Sequence, residues 1–161
     1  MAALKTSRAA QWPLLAEFTF DVSTAVADTM PTTVGNTIGG ASPAYNATGV
    51  VMGSVGTNVY EIANMPPGAT VIGGEVVVET AVAGPTVSTI SVGDSGSATR
   101  YLGATSMLSA ARTALTLTGF RGAGENIRIT VNNTVAAATA GKVTVRVLYT
   151  VQGRQNEVQA A

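Results

Sequence analysis

The sequence predicts an all-β fold, a β-sandwich or jelly roll carrying an extended N-terminal arm. Three observations predict it. Apolar residues recur at every second position through most periodic stretches, these stretches are short, and Gly, Pro and Asn turn residues separate them. A helical period is nearly absent.

Taken in chain order, residues 17–22 place Phe18, Phe20 and Val22 on one face of a first strand. Residues 26–48, rich in Thr, Gly, Ala and Pro and without clean periodicity, read as a long loop or an extended arm segment. Further strands are expected at 49–55, 58–62, 70–80, 86–92 and 114–120. Residues 105–111, which hold Ala, Met and Leu without Gly or Pro, suggest one short helical turn. Residues 126–131 alternate Ile127, Ile129 and Val131 with Arg128 and Thr130. In 142–151, Val143, Val145, Val147, Tyr149 and Val151 alternate with Lys142, Thr144, Arg146, Leu148 and Thr150. The last two strands, joined by a loop over 132–141, are expected to pair antiparallel. The domain spans 14–153, with an arm over 1–13 and a tail over 154–161.

A chain of 161 residues is long enough for one domain with its own core. Hydrophobic residues make up 46%, mean hydropathy is +0.31 and the formal net charge is zero, which excludes global disorder. Charged residues are only 11%, against a usual ~25%, so the surface is built mainly from hydroxyls, backbone and small apolar groups.

There is no His and no Cys. Disulfides, zinc sites, thiol nucleophiles and every imidazole-based acid/base or triad mechanism are excluded together. Lys5 and Arg8 precede an apolar stretch broken by Gln11, Pro13 and Glu17, which does not form a signal-peptide core, and no run approaches the ~18 apolar residues of a membrane span. A protein made in the cytoplasm and soluble there until assembled is expected.

The zero net charge hides a polarity. Residues 1–99 carry two cations against seven anions, and residues 100–161 carry seven cations against two anions, so the halves are −5 and +5. Either interleaved strands mix these charges within one domain, or an acidic surface meets a basic surface of a neighbouring copy. The basic half is too sparse for a nucleic-acid patch.

Several motifs reduce to structure. Gly93-Asp94-Ser95-Gly96 has the look of a serine-protease nucleophile segment, but without a histidine the hydroxyl has no base, and the stretch reads as a turn. One carboxylate there is too few for calcium. Glu75 and Glu79 share a strand face, yet four residues of strand separate them by roughly 13 Å, beyond the ~5–9.5 Å of a glycosidase pair. A solvated strand face, or pairing with cross-strand Arg residues, is expected instead. Gly122-Ala123-Gly124 is a turn, and the sequons at Asn46 and Asn132 are those a Thr-rich chain produces by chance.

One set of residues carries a resemblance. The run from Ala63 through Met65-Pro66-Pro67-Gly68 to Gly74, the stretch 88–92 with Gly93-Asp94-Ser95-Gly96, Ala98-Thr99-Arg100-Tyr101 and the segment 140–153 are similar to small structural proteins of tailed bacteriophages, of the capsid decoration or cement type. The similarity covers residues 60–154. It implies a jelly-roll-like sandwich that binds the outside of an assembled head as a homo-oligomer, a dimer or trimer, with the major capsid protein as partner and the virion surface as location. It implies no catalytic residue, cofactor, metal, small-molecule substrate, nucleic acid or membrane. Another phage component, from tail or head fibre, is the alternative. A carbohydrate-binding sandwich would need exposed aromatics, and the chain has one Trp, four Tyr and three Phe.

Partner contacts are expected from Lys5, Arg8, Trp12, Leu14, Leu15, Arg112, Arg121 and Arg154. Trp12 offers a large anchor at low entropic cost, Pro13 stiffens the exit of the arm, and Lys5 and Arg8 suit an acidic face. Deleting residues 1–13 is therefore expected to leave a normally folded protein that no longer oligomerises or attaches to heads. A thermal melt paired with a head-binding assay checks this, since a local closing role would lower stability instead.

Overall fold

Backbone pairing sorts the residues described by the computed structural model, 13–21, 25–26, 50–51 and 55–151, into ten strands. They are β1 (Leu14–Asp21), β2 (Ala25–Val26), β3 (Val50–Val51), β4 (Gly56–Ala63), β5 (Ala69–Ala83), β6 (Val87–Gly93), β7 (Leu102–Ser106), β8 (Ala111–Ala114), β9 (Ile127–Thr134) and β10 (Ala140–Val151). No helix occurs among the described residues. The long stretch 26–48 and the expected strand at 49–55 fall mostly outside them; of these, Val26, Val50 and Val51 lie in the short pair β2–β3.

Eight strands form two antiparallel sheets, ordered β1-β10-β5-β8 and β4-β9-β6-β7. The all-β sandwich expected from the period-two pattern is thus present. Alternation decides the core. Val143, Val145 and Val147 of β10 with Val76 and Val78 of β5 face Ile127, Ile129 and Val131 of β9 with Ile90 and Val92 of β6 in one buried cluster. Each such side chain removed from water contributes about 1.5–3 kcal/mol before entropy is counted. Phe20 and Tyr60 close the β1/β4 side of this layer, and burial pushes the Tyr60 hydroxyl up to about 12.

Three expectations are corrected. β9 and β10 do not pair: they belong to opposite sheets and face each other across the core. Alternation gives each one apolar face, and two such faces can share a core as readily as a sheet. Residues 105–111 form no helical turn. Thr105 and Ser106 belong to β7, Met107 is buried, and its backbone bonds both Ser88 (2.8 Å) and Val82 (2.8 Å), so this corner stitches the sheets together and overrides a weak local propensity.

The strand expected over 114–120 ends almost where it was to begin, since β8 covers Ala111–Ala114. Gly74 sets that end. Its φ of 144° suits glycine, a Cβ would lie 2.3 Å from the Arg146 carbonyl, and after the Leu115 N–H bonds Gly74 (3.0 Å) the chain turns to Tyr101, just before β7 of the other sheet, whose carbonyl accepts from the Thr116 N–H (2.7 Å). Thr144 keeps the outward position that alternation gives it, and it is covered there. It lies on the outer face but is 1% exposed, its hydroxyl donating to Glu79 (2.7 Å) and accepting from Thr19 (2.8 Å).

These placements give a mutational contrast. Val145→Asp buries an unpaired charge and is expected to abolish folding. Thr144→Asp, which brings a second carboxylate against Glu79, is expected to cost about 2–3 kcal/mol, whereas Thr144→Val loses only about 1 kcal/mol. Urea denaturation of the three variants checks the order.

Candidate interface surfaces

The outer face of the first sheet is a ladder of charge. Because β10 alternates, Lys142 and Arg146 emerge where Val143, Val145 and Val147 go inward, and the register sets Arg146 between Glu17 of β1 and Glu75 of β5. Arg146 bonds Glu17 at 2.6 Å and Glu75 at 3.1 Å, Arg112 of β8 forks onto Glu75 at 2.7–3.1 Å, and Lys142 meets Glu79 at 2.7 Å. The guanidinium of Arg112, then that of Arg146, holds Glu75 below its usual range. Lys142, then the Thr144 hydroxyl, does so for Glu79. Both carboxylates stay ionised at lower pH than in the unfolded chain, so this contribution is present above the usual carboxylate range and is lost as pH falls through their folded values. Glu75 thus has the cross-strand Arg partners expected of it, whereas Glu79 pairs with Lys142 instead.

Beside the charges lies an apolar strip. Leu15, 57% exposed, stands opposite Leu148, and Leu148 stands opposite Gly73, next to exposed Ile72. The Leu148 Cδ1 comes to 3.3 Å from where a Gly73 Cβ would sit, so the leucine lies flat across the sheet.

The second sheet is polar outside. Glu61 accepts from Arg128 (2.5 and 2.8 Å) and Asn126 (3.1 Å). Against this face sits the Asp94 turn. The buried Asp94 carboxylate accepts from the backbone N–H of Gly96 and Ser97 (2.9 Å each) and from Arg100, whose guanidinium lies 3.6 Å over the Phe120 ring. Gly93 must be glycine here, because a Cβ would meet the Ser97 carbonyl at 2.0 Å. The cleft under the turn, lined by Val59, Ser95, Ala98, Arg128 and Thr130, encloses about 180 Å³, below the roughly 300–1,000 Å³ of small-molecule sites. Among the described residues no three carboxylates gather as a metal centre would need.

One end of the second sheet presents valines. Asn133 pairs with Gly56 on one side and Ser88 on the other, so Val55, Val87 and Val135 sit at adjacent strand ends, 54%, 44% and 82% exposed. Val135 has φ 72°, a conformation costly for a β-branched residue by roughly 1–2 kcal/mol. A buried Ser88–Asn133 hydrogen bond of 2.6 Å fixes the strands just beneath.

Of the residues expected at a partner interface, Lys5, Arg8, Trp12 and Arg154 lie outside the described residues. Leu14 turns inward, half-buried against the core, while Leu15 faces out. Arg112 stands on the same face as Leu15 at the opposite edge, engaged by Glu75, and Arg121 is exposed beside a backbone bridge to Thr70. Val55, Val87, Val135 and Ile72 were not singled out by sequence. Leu148 carried a signal, an apolar residue at an outward position of a strict alternation. Among the described residues the charges of the two halves meet inside the chain: Arg100, Arg112, Arg128, Lys142 and Arg146, all from 100–161, pair with Asp94, Glu75, Glu61, Glu79 and Glu17 from 1–99. Replacing Val135 by Asn, which tolerates left-handed backbone, is expected to stabilise the isolated protein by about 1 kcal/mol in chemical denaturation.

No protein-family model matches the chain, and no curated protein does. Among solved structures, the fold resembles a chain in the capsid asymmetric unit of cyanophage Pam1, at 22% identity and a TM-score of 0.52 over 92% of both chains. A chain in the capsid of Ralstonia phage GP4 aligns over 92% of both chains with 16% identity and a TM-score of 0.48.

Proposed function

We propose that this chain is a non-enzymatic virion structural protein of a tailed bacteriophage, a decoration protein that binds the outside of the assembled head and bridges major capsid protein subunits. The observation that carries the reading is the likeness to a chain of the cyanophage Pam1 capsid, which takes in 92% of each chain and so concerns a whole fold instead of a shared piece. The strand wiring supports it. Counting only the eight sandwich strands, the sheets read 1-8-3-6 and 2-7-4-5, the order of a jelly roll, an architecture used by capsid proteins. The absence of His and Cys agrees with a role that needs no chemistry.

The valine tip is the part best suited to the shell. Val55, Val87 and Val135 expose apolar surface on a rigid end of the sandwich, and an uncompensated strained valine at a loop tip is favoured only where contact rewards it. A protein that binds only where capsid subunits meet in the mature lattice adds its binding free energy to the shell by mass action, resisting heat and internal pressure. Synthesis in the host cytoplasm and residence on the outer capsid surface follow from this role.

Particles imaged with and without the chain test the reading. Density on the head surface that disappears with the chain, together with heads that open at lower temperature, is expected. Density confined to the tail or to a fibre would favour the alternative phage component. Val87→Asp with Val135→Asp is expected to lower head binding at least tenfold, about 1.4 kcal/mol, while leaving the isolated fold intact.

A further inference from the structure

We propose that the end of the second sheet bearing the valine tip binds an apolar, uncharged surface of the shell protein through a row that takes in Leu108, so that attachment is indifferent to ionic strength. The inference deepens the virion reading and rests on it. Charge is distributed unevenly between the two ends of the sandwich. Three connections, β5–β6, β7–β8 and β9–β10, lie at the valine end, and β4 begins there. Residues 55–60, 80–93, 101–111 and 129–141 contain no Asp, Glu, Lys or Arg, although 44 residues at the chain's 11% would carry about five. The connections at the opposite end hold Asp94, Arg100, Arg121 and Glu125.

Apolar side chains fill this uncharged end in one line. Val87 pairs with Thr134 of β9, next to Val135, and the pairing of Asn133 with Gly56 brings Val55 alongside. On the other side, the Met107 N–H bonds the Ser88 carbonyl (2.8 Å), which sets the exposed Leu108 beside Val87. The row Val55, Val135, Val87 and Leu108 thus crosses the ends of all four strands. It is held firmly. The Thr139 N–H bonds the Ala83 carbonyl (2.9 Å), the Thr86 N–H bonds that of Thr134 (3.3 Å), and a Cβ on Gly84 would lie 2.5 Å from the Ala137 carbonyl. A preformed surface gives up little conformational entropy on docking.

The missing charges specify the partner. A carboxylate or ammonium brought against this row would lose its water and meet no counter-charge, because the charges that flank these segments at this end, Glu79, Arg112 and Lys142, stand on the first sheet and are already paired. The row therefore rejects ionised surfaces and accepts apolar ones, a specificity set by desolvation. Lipid is a poorer match, since interfacial anchoring combines cations with Trp or Tyr, and among the described residues this end exposes neither. Salt screens exposed charges, so a contact made by this row is left unchanged by NaCl, and sulfate, which strengthens apolar burial, tightens it.

The test adds purified full-length chain to heads that lack it and follows binding from about 50 to about 500 mM NaCl and in sodium sulfate. The dissociation constant is expected to change less than about threefold across the NaCl series and to fall in sulfate. This series uses the natural chain and needs no variant to fold. Leu108→Asp and Leu108→Lys are each expected to weaken head binding at least about tenfold, with the melting temperature and the sedimentation of the isolated chain unchanged, and Leu108→Ser about threefold. A charged shell surface would instead favour one of the two charges. Weakening of about tenfold or more across the NaCl series, undiminished binding with either charge at position 108, self-association lost in Leu108→Asp, or Leu108-dependent binding to neutral phosphatidylcholine vesicles would each overturn this proposal and leave the chain on the head. A chain that binds heads under no condition would overturn the virion reading and this proposal together.

Discussion

β10 is hydrogen-bonded along both of its edges, to β1 and to β5, and the first sheet exists only because its 12 residues satisfy two neighbours at once. Its inner positions hold valines that are almost wholly buried; its outer positions hold the cations and the threonine that bind β1 and β5 together. The strand joins distant parts of the chain. Thr144 receives a hydrogen bond from Thr19, 125 residues away, so the sheet is complete only after the last strand arrives. Such non-local pairing makes for slow folding, and the small, stiff Val and Ile side chains leave little freedom for misplacement once it has occurred.

The sequence was most readable where one face is buried. Residues 17–22, 58–62, 70–80, 86–92, 126–131 and 142–151 each correspond to a strand, because alternation is itself the physical cause of a half-buried strand. It says nothing about which sheet a strand joins, and so β9 and β10 were paired when they in fact oppose each other across the core. Met107 shows a second limit. Its neighbours favour a helical turn, yet hydrogen bonds to Ser88 and Val82, distant in sequence, hold the backbone extended. At the surface, Leu15, Arg112 and Arg121 were legible as outward residues of their types. The valine tip was not, because exposure of Val55, Val87 and Val135 follows from strand ends meeting in space, which no local pattern records.

The two ends of the second sheet are built on opposite principles. At the Asp94 turn, one buried carboxylate gathers two backbone N–H groups and an arginine, and that arginine is in turn covered by Phe120, so the loop is saturated with internal bonds. At the other end, Val135 is strained, apolar and exposed, with its structure imposed by Ser88 and Asn133 below. A loop that satisfies itself has little left to offer a partner. A rigid apolar tip has more, and the proposed shell contact is placed there for that reason.

Sorting charge by strand also settles register. Alternation forbids a one-residue slip, which would turn valines outward, but it permits slips of two. Here the anions of β1 are four residues apart, at Glu17 and Asp21, as are the cations of β10, at Lys142 and Arg146, and the anions of β5, at Glu75 and Glu79. A slip of two against either neighbour would set these charges against uncharged residues such as Thr19, Thr144, Leu148, Val77 or Gly73 and break the pairs between those strands; a slip of four would keep at most one pair per neighbour. The few charged residues of this chain therefore act where alternation is silent. That is why a sequence with an acidic first half and a basic second half folds into a face on which the two are interleaved.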